Sequence, residues 1–470
     1  MMKTFIQKYN SRSPILLIRL LLLVLLGALL SSCEKALEPD YPDFLLSEEA
    51  LFENAATMDA ALANIYAGLR DSSPLSGGVD GMGVLLGLYA DELDYYRENA
   101  PIDNAFYNHT VLPNNTAVGN FWNSSYSLIY SANKIVEGLE DAPLEAEERN
   151  GFMGEALFLR AYLHFYLAQL FGDVPYIKTT DYTENASVSR MHLTEVYQMM
   201  QTDLLAAKNL LPAMEPSGER LRVSQGVASA LLARLYLHTQ QWEKAVAEST
   251  AVITEGTFAL QPDLNLVFLK ESPSTIWQLK PEFEGSATKE GETLIFDFGP
   301  PSLYALSASF IADFETGDLR KEAWTREISD GVNSWYHPYK YKQNYYGGSS
   351  TEYSILFRLA EQYLIRAEAA LQLGNLQEAR NDLNVIKLRA GLDPTAANTQ
   401  EEIREELQNQ WRYEFFTEQG HRWFYLKRSG SANEILAPIK PGWKATNVLF
   451  PLPANELILN PNLNPQNPGY

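Results

Sequence analysis

Apolar residues recur along most of this chain at intervals of three and four, the repeat of a helix that buries one face. A first helix is expected from Ser47, with Glu48 and Glu49 in its first turn, where negative charge suits the helix dipole. Leu51, Met58, Leu62, Ile65 and Leu69 share one face of it. Further helices are expected at about 117–139, 149–171, 192–211, 224–240, 242–255, 355–373, 376–390 and 400–428. Strand-like runs are few: 274–279, 293–298, and Tyr339 and Tyr341 alternating with Lys340 and Lys342. The tail from Phe450 carries too many prolines for a helix and should lie extended over the rest.

Two helix pairs look like copies of one unit. Ala233-Arg234-Leu235-Tyr236-Leu237 is followed by Gln241-Trp242-Glu243-Lys244-Ala245 and then Val252-Ile253. Ala367-Glu368-Ala369-Ala370-Leu371 is followed by Asn375-Leu376-Gln377-Glu378-Ala379 and then Val385-Ile386. Alanine lets two antiparallel helices approach, and the large apolar residue fills the groove beside it. This is similar to the tetratricopeptide helix pair, with a weaker version at 156–171. The expected fold is therefore mainly α: roughly four such pairs forming a superhelical scaffold. Loop-rich, short-β insertions at 71–115 and 257–350 separate the pairs, so a plain solenoid is not expected. Residues 47–470 read as one domain, in an N-terminal part at about 47–256 and a C-terminal part at about 257–470.

The N-terminus reads as a secretory signal, residues 1–32. Lys3, Lys8, Arg12 and Arg19 precede the apolar run 20–30, whose 11 residues fall well short of the ~20 that span a bilayer. The run ends in Leu30-Ser31-Ser32-Cys33, the lipobox pattern of bacterial lipoproteins, and Cys33 is the single cysteine of the chain. With no partner it forms no intrachain disulfide, and lipidation is the expected use of its thiol. One acyl chain holds a membrane marginally and several hold it firmly. Residues 33–46, acidic and proline-bearing, read as a lipidated tether.

Net charge narrows the function. The chain carries 37 basic and 59 acidic residues, and removing the signal's four basic groups leaves 33 against 59, or −26. Such a surface repels phosphate backbones and anionic lipid, so no nucleic-acid partner is expected. It is no obstacle to a neutral sugar.

Catalytic signatures are poor. The chain has no HExxH, GxSxG or phosphate-loop motif, and its six histidines show no metal-ligand spacing. No catalytic residue, metal or cofactor is expected. Gly81-Met82-Gly83 with Gly87 imitates a dinucleotide loop without the strand that should precede one. Asp91, Glu92 and Asp94 form the best acidic cluster, which reads as a solvated face or cap, with calcium or acid/base work as alternatives.

Aromatics say more. Residues 333–346 hold Trp335, Tyr336, Tyr339, Tyr341, Tyr345 and Tyr346, six in fourteen against 12% overall, so this segment is set apart from the average. A second group is Tyr89, Tyr95, Tyr96, Phe106 and Tyr107, with Arg97, Asn99, Asn104 and Asn108 beside it. A pyranose stacks its C–H face on an aromatic plane while its hydroxyls seek Asn, Asp, Arg and Gln. Burial in a core is the plain alternative for any one ring. The ligand candidates are Tyr95, Tyr96, Arg97, Trp335, Tyr336, Tyr345 and Tyr346.

Several blocks in order resemble the SusD/RagB family of outer-membrane nutrient-binding lipoproteins of the Bacteroidetes. They are Glu155-Ala156-Leu157-Phe158-Leu159-Arg160-Ala161-Tyr162 with Phe171-Gly172-Asp173-Val174-Pro175; Arg358-Leu359-Ala360-Glu361-Gln362-Tyr363-Leu364-Ile365-Arg366-Ala367-Glu368-Ala369; Gly420-His421-Arg422-Trp423; and the tail from Phe450-Pro451-Leu452-Pro453 to Asn467-Pro468-Gly469-Tyr470. The chain departs from the family at Gln410-Trp411, where Glu-Arg is usual, and at Tyr425, where Asp is usual. The resemblance implies a surface-exposed outer-membrane binder of oligosaccharide, or of peptide as in RagB-like members. It implies a partner, a SusC-like TonB-dependent transporter over which the protein acts as a lid. A helical-repeat adaptor without a small ligand and a surface glycan hydrolase are the rival readings. Arg160, Glu361, Arg366, Glu368 and Arg422 fall in the shared blocks and read as charges that need partners inside the frame.

Overall fold

The computed structural model describes Phe52 and residues 54–140 and 142–470. The signal segment, Cys33, the tether and the expected helix start at Ser47 with Leu51 lie outside the described residues.

Helix α1 (Ala55–Asp71) starts where the Asn54 side chain accepts hydrogen bonds from the Ala56 and Thr57 N–H groups at 3.0 and 3.1 Å. Met58, Leu62, Ile65 and Leu69 face inward, as their spacing requires. There follow α2 (Met82–Tyr89), β1 (Leu93–Tyr95), α3 (Pro101–Tyr107), α4 (Thr116–Gly138), α5 (Ala146–Phe171), α6 (Leu193–Leu210), α7 (Gln225–His238) and α8 (Trp242–Thr254). The insertion then supplies β2 (Thr275–Leu279), β3 (Tyr304–Leu306), β4 (Thr325–Ser329), β5 (Ser334–Pro338) and β6 (Ser354–Arg358). Last come α9 (Leu359–Gln372), α10 (Leu376–Arg389), α11 (Gln400–Phe415) and α12 (His421–Ser429).

The helices pack serially, α4 on α5, α5 on α6, α6 on α7 and α7 on α8. Helix α8 then packs directly on α9, although the insertion between residues 254 and 359 separates them in sequence. The stack is therefore continuous in space: the insertion loops out and the solenoid resumes. The two copied units pack in the same register, because Ala233, Ala245 and Val252 are buried in one and Ala367, Ala379 and Ile386 in the other. Helix α5 is buried on every side from Gly154 to Phe171, which explains its lack of a polar stripe.

The shared-block charges all meet opposite charges. Arg160 meets Asp203 at 2.7 Å, Arg234 meets Glu361 at 2.6 Å, Arg366 meets Asp382 at 2.7 Å, Arg428 meets Glu368 at 2.8 Å and Arg422 meets Asp91 at 2.7 Å. Asp91 and Glu92 are thus not a solvated face: both are buried, one on Arg422 and the other accepting from the Thr417 N–H. Burial pushes the Glu92 carboxyl up to about 8, against the pull of that N–H. Burial acts on Asp91 too, but Arg422 and Arg412 hold it below the usual range.

Several expectations from local pattern fail. In the proline-bearing tail, Ala454–Leu459 form a short helix directly after Pro453, where no N–H is needed inside the helix from the ring. Four others fail elsewhere. Residues 293–298 form no strand, because Thr288 caps a helical turn over Lys289–Leu294, accepting from the Gly291 N–H at 3.1 Å. Residues 355–358 belong not to a helix but to β6, which pairs antiparallel with β2 and is buried on both faces. The expected helix 400–428 breaks after Phe415, where Thr417, Gln419 and Gly420 take φ of 57°, 36° and 75°. The break is held from outside the helix. Lys340 donates to the carbonyls of Glu414 and Phe416, each at 2.9 Å, and Arg358 donates to the Glu414 carbonyl at 2.6 Å. Lys340 and Tyr341 are accordingly both buried, and the Tyr339–Lys342 alternation marks no strand.

Glu414 lies at the centre of this junction, facing Arg358 at 2.5 Å, Arg320 at 3.4 Å and Arg389. Burial alone would raise its carboxyl; the three guanidinium groups hold it well below the usual range. The β2–β6 ladder is fixed to α5 by rings: Trp277 lies 5.4 Å from Phe158, 5.2 Å from Tyr162 and 5.7 Å from Phe357 between centroids. Each such pair adds about 0.5–1.5 kcal/mol beyond its buried area.

Candidate functional site

A four-stranded antiparallel sheet in the order β1-β3-β5-β4 joins the two aromatic segments of the sequence. Tyr95 lies opposite Tyr304, Leu306 opposite Tyr336, and the Tyr96 N–H continues the ladder to the Leu303 carbonyl at 2.8 Å. Alternation along the strands then sorts the side chains. Tyr96 and Trp335 share one face, with the indole close enough to act on the Tyr96 hydroxyl. Tyr95 and Tyr336 turn to the other.

Those two tyrosines brace the platform. The Tyr95 hydroxyl accepts from Asn104 at 2.6 Å, its ring meets Tyr107 edge-on at 5.5 Å, and the Tyr336 hydroxyl donates to Glu327 at 3.0 Å. Tyr107 donates to Asp94 at 2.9 Å, and burial with that carboxylate pushes its hydroxyl up to about 12. Arg97 lies 3.7 Å from Asp103 and close to the Tyr304 hydroxyl. Asp103 is fully buried; its Oδ2 accepts from Tyr304 at 3.2 Å while its Oδ1 has no partner. Burial raises its carboxyl in spite of Arg97.

Tyr345 and Tyr346 sit on a loop at 74% and 71% exposure, well beyond what a buried ring would show. The loop is tied to the same neighbourhood: Asn344 donates to Asp297 at 3.4 Å, and the Gly347 N–H to the Gly285 carbonyl at 2.9 Å. Next to Asp297 stands Phe298, 84% exposed, which the pattern reading places in a strand and not among the ligand candidates. Its neighbour Gly299 packs against the Trp335 ring; a Cβ there would lie 2.3 Å from the indole, so glycine is what lets the ring come this close to the backbone. A large aromatic directly before Gly299-Pro300-Pro301 is the signal that could have found it, since such a turn has no core to offer. Tyr96, Trp335 and Phe298 thus fall in one neighbourhood of the sheet, and the loop that carries Tyr345 and Tyr346 is tied to the segment just before Phe298.

Among the described residues, no group of three or more His, Cys, Asp or Glu side chains is placed to hold a metal ion. The nucleotide-loop imitation is a packing device: Gly81 caps α2, and a Cβ on Gly83 would lie 2.8 Å from the Thr417 carbonyl oxygen.

Two family matches cover most of this architecture. The family described as starch-binding and associating with the outer membrane matches residues 46–237, and the SusD family matches residues 314–470. SusD-like protein P2 of Formosa agariphila is 30% identical, over 91% of this chain and 95% of that one. The chain belongs to the SusD family. Among solved structures, a SusD superfamily protein from Bacteroides vulgatus superposes with a TM-score of 0.78 at 22% identity, covering 89% of this chain and all of that one. A laminarin-binding SusD-like protein superposes with a TM-score of 0.77 at 24% identity, with the same coverage. The two departures from the family pattern meet in space: the Arg428 guanidinium lies 5.2 Å from the Trp411 ring and 5.1 Å from the Tyr425 ring. This member of the SusD family therefore faces that cation with two rings, and Glu368 supplies its charge partner.

Proposed function

We propose that the protein binds oligosaccharides at this patch and delivers them to a SusC-like TonB-dependent transporter, from an outer-membrane position secured by lipid on Cys33. The observation that carries the reading is a group of rings in one neighbourhood, with Tyr96, Phe298, Tyr345 and Tyr346 exposed and Trp335 half-buried, held out by insertions on a rigid helical frame. Soluble surfaces rarely leave so many rings together without a partner. Tyr95, Tyr336 and Arg97 act as braces. The mechanism is contact alone: stacking on the rings, with hydroxyls bonded by the polar groups around them. The acidic cluster that could have offered acid/base chemistry is committed to Arg422, Arg412 and the Thr417 N–H, which supports binding over hydrolysis. No helix among the described residues is long and apolar enough to cross a membrane.

Calorimetry tests the reading with laminarin and starch oligosaccharides, chosen for the relatives' names. Trp335→Ala and Tyr346→Ala should weaken binding while the melting temperature stays close to that of the parent. Parent-like affinity in Trp335→Ala would remove the patch from the site.

A further inference from the structure

Beside the aromatic patch lies a cavity of about 500 Å³ that none of the aromatic candidates lines. Its wall carries Asp80, Asn120, Asn123, Ser124 and Lys289, and Pro74 and Phe121 form its apolar part. The volume falls within the range of small-ligand sites, roughly 300–1,000 Å³. The lining is rich in hydroxyl, amide and carboxylate groups, a chemistry suited to a ligand made of hydroxyls.

We propose that this cavity is a second sugar subsite, which holds a neutral pyranose of the same oligosaccharide by hydrogen bonds, so that the protein grips its ligand at two separate points. The inference rests on the glycan-binding reading of the patch and adds to it. Three observations carry it. Asn120 and Asn123 stand one turn apart on the exposed side of α4 at the cavity's mouth, and neither amide side chain has a protein partner among the described residues. Residues so spaced have Cβ atoms about 5–6 Å apart, and each amide offers two donors and an acceptor. Asp80 on the cavity wall is also near enough to Arg97 and Asp103 to act on both, and those residues brace β1 next to Tyr96, which sets the cavity on the same side of the sheet's edge strand as the Arg97 segment. Finally, the wall has no surplus of positive charge. Asp71 is paired with Arg70, and Lys289 lies 3.9 Å from Glu292, so with Asp80 on the wall nothing there rewards a sulfate or a carboxylate. The two points differ in kind: rings take the face of a sugar at the patch, and amides read hydroxyl positions in the cavity.

The double variant Asn120→Ala/Asn123→Ala tests this in the full protein. Alanine is the stronger helix former, so α4 keeps its fold, and a thermal melt verifies that. Laminari-oligosaccharides and malto-oligosaccharides of increasing length are titrated by calorimetry into the parent, the double variant and Trp335→Ala. The double variant should bind the short members like the parent and the long members roughly tenfold more weakly, from the loss of two or more hydrogen bonds. Trp335→Ala should weaken every length. A double variant that binds long chains as the parent does, or that loses short and long chains alike, overturns the second subsite while the patch stands. Parent-like binding of all lengths by Trp335→Ala overturns the patch itself and the subsite with it.

Discussion

Inside the stacked helices, every long charged side chain of the shared blocks ends on an opposite charge: Arg160 on Asp203, Glu361 on Arg234, Arg366 on Asp382. On the face built by the insertions the arrangement is reversed. Phe298, Tyr345 and Tyr346 stand in solvent, Trp335 lies against the backbone at Gly299, and on the surface of α4 nearby the Asn120 and Asn123 side chains have no protein partner among the described residues. The frame consumes its polar capacity internally, while the face keeps its capacity unspent. Substitutions in the first region should therefore move stability and leave affinity alone, and those in the second should do the reverse.

The largest effect is expected at the junction. Arg358→Ala leaves Glu414 and Glu418 buried beside fewer cations, and should destabilise by ~3–5 kcal/mol. Urea titration should show a lower midpoint with unchanged slope, and the molecules that stay folded should bind oligosaccharide normally. A loss of affinity without loss of stability would break the comparison. Next, Trp335→Ala should cost more than tenfold in affinity and no more than ~1 kcal/mol in stability, since it loses cross-strand contacts on an open sheet.

A third test uses pH. Glu92 is held near 8 by burial, above its ordinary value, so the folded protein keeps a proton that the unfolded chain gives up. Its contribution is fully present below the ordinary carboxylate range and is lost as pH rises through about 8. Glu92→Gln should flatten the fall in stability across that window; an unchanged pH profile would show that Glu92 titrates normally. The smallest effect belongs to Tyr346→Ala: less than ~0.5 kcal/mol in stability and about threefold in affinity. A larger stability change would mean that the loop belongs to the frame.

Much of the frame was legible. The described ends of α4 to α8 and of α10 fall within three residues of those read from apolar spacing, and the alanine repeat located the two copied helix units. Both halves of the patch were also visible, as dense aromatic segments around Tyr95–Arg97 and Trp335–Tyr346. Their meeting was not, because 239 residues separate Tyr96 from Trp335 and only the register β1-β3-β5 sets them on one face. Phe298 escaped because a run of apolar residues reads the same whether or not a core lies beneath it.

The sequence by itself determined most helices of the frame and the pairing of the two copied units, because a helix is fixed by contacts three and four positions apart. Tertiary structure decided where α11 ends, which strand alternation faces solvent and which carboxylates are charged. Lys340 and Arg358 take the carbonyls that would have continued the helix, and Arg422 meets Asp91 across 331 positions of chain. Electrostatic and hydrogen-bond energies depend on distance in space, and a one-dimensional pattern carries no record of it.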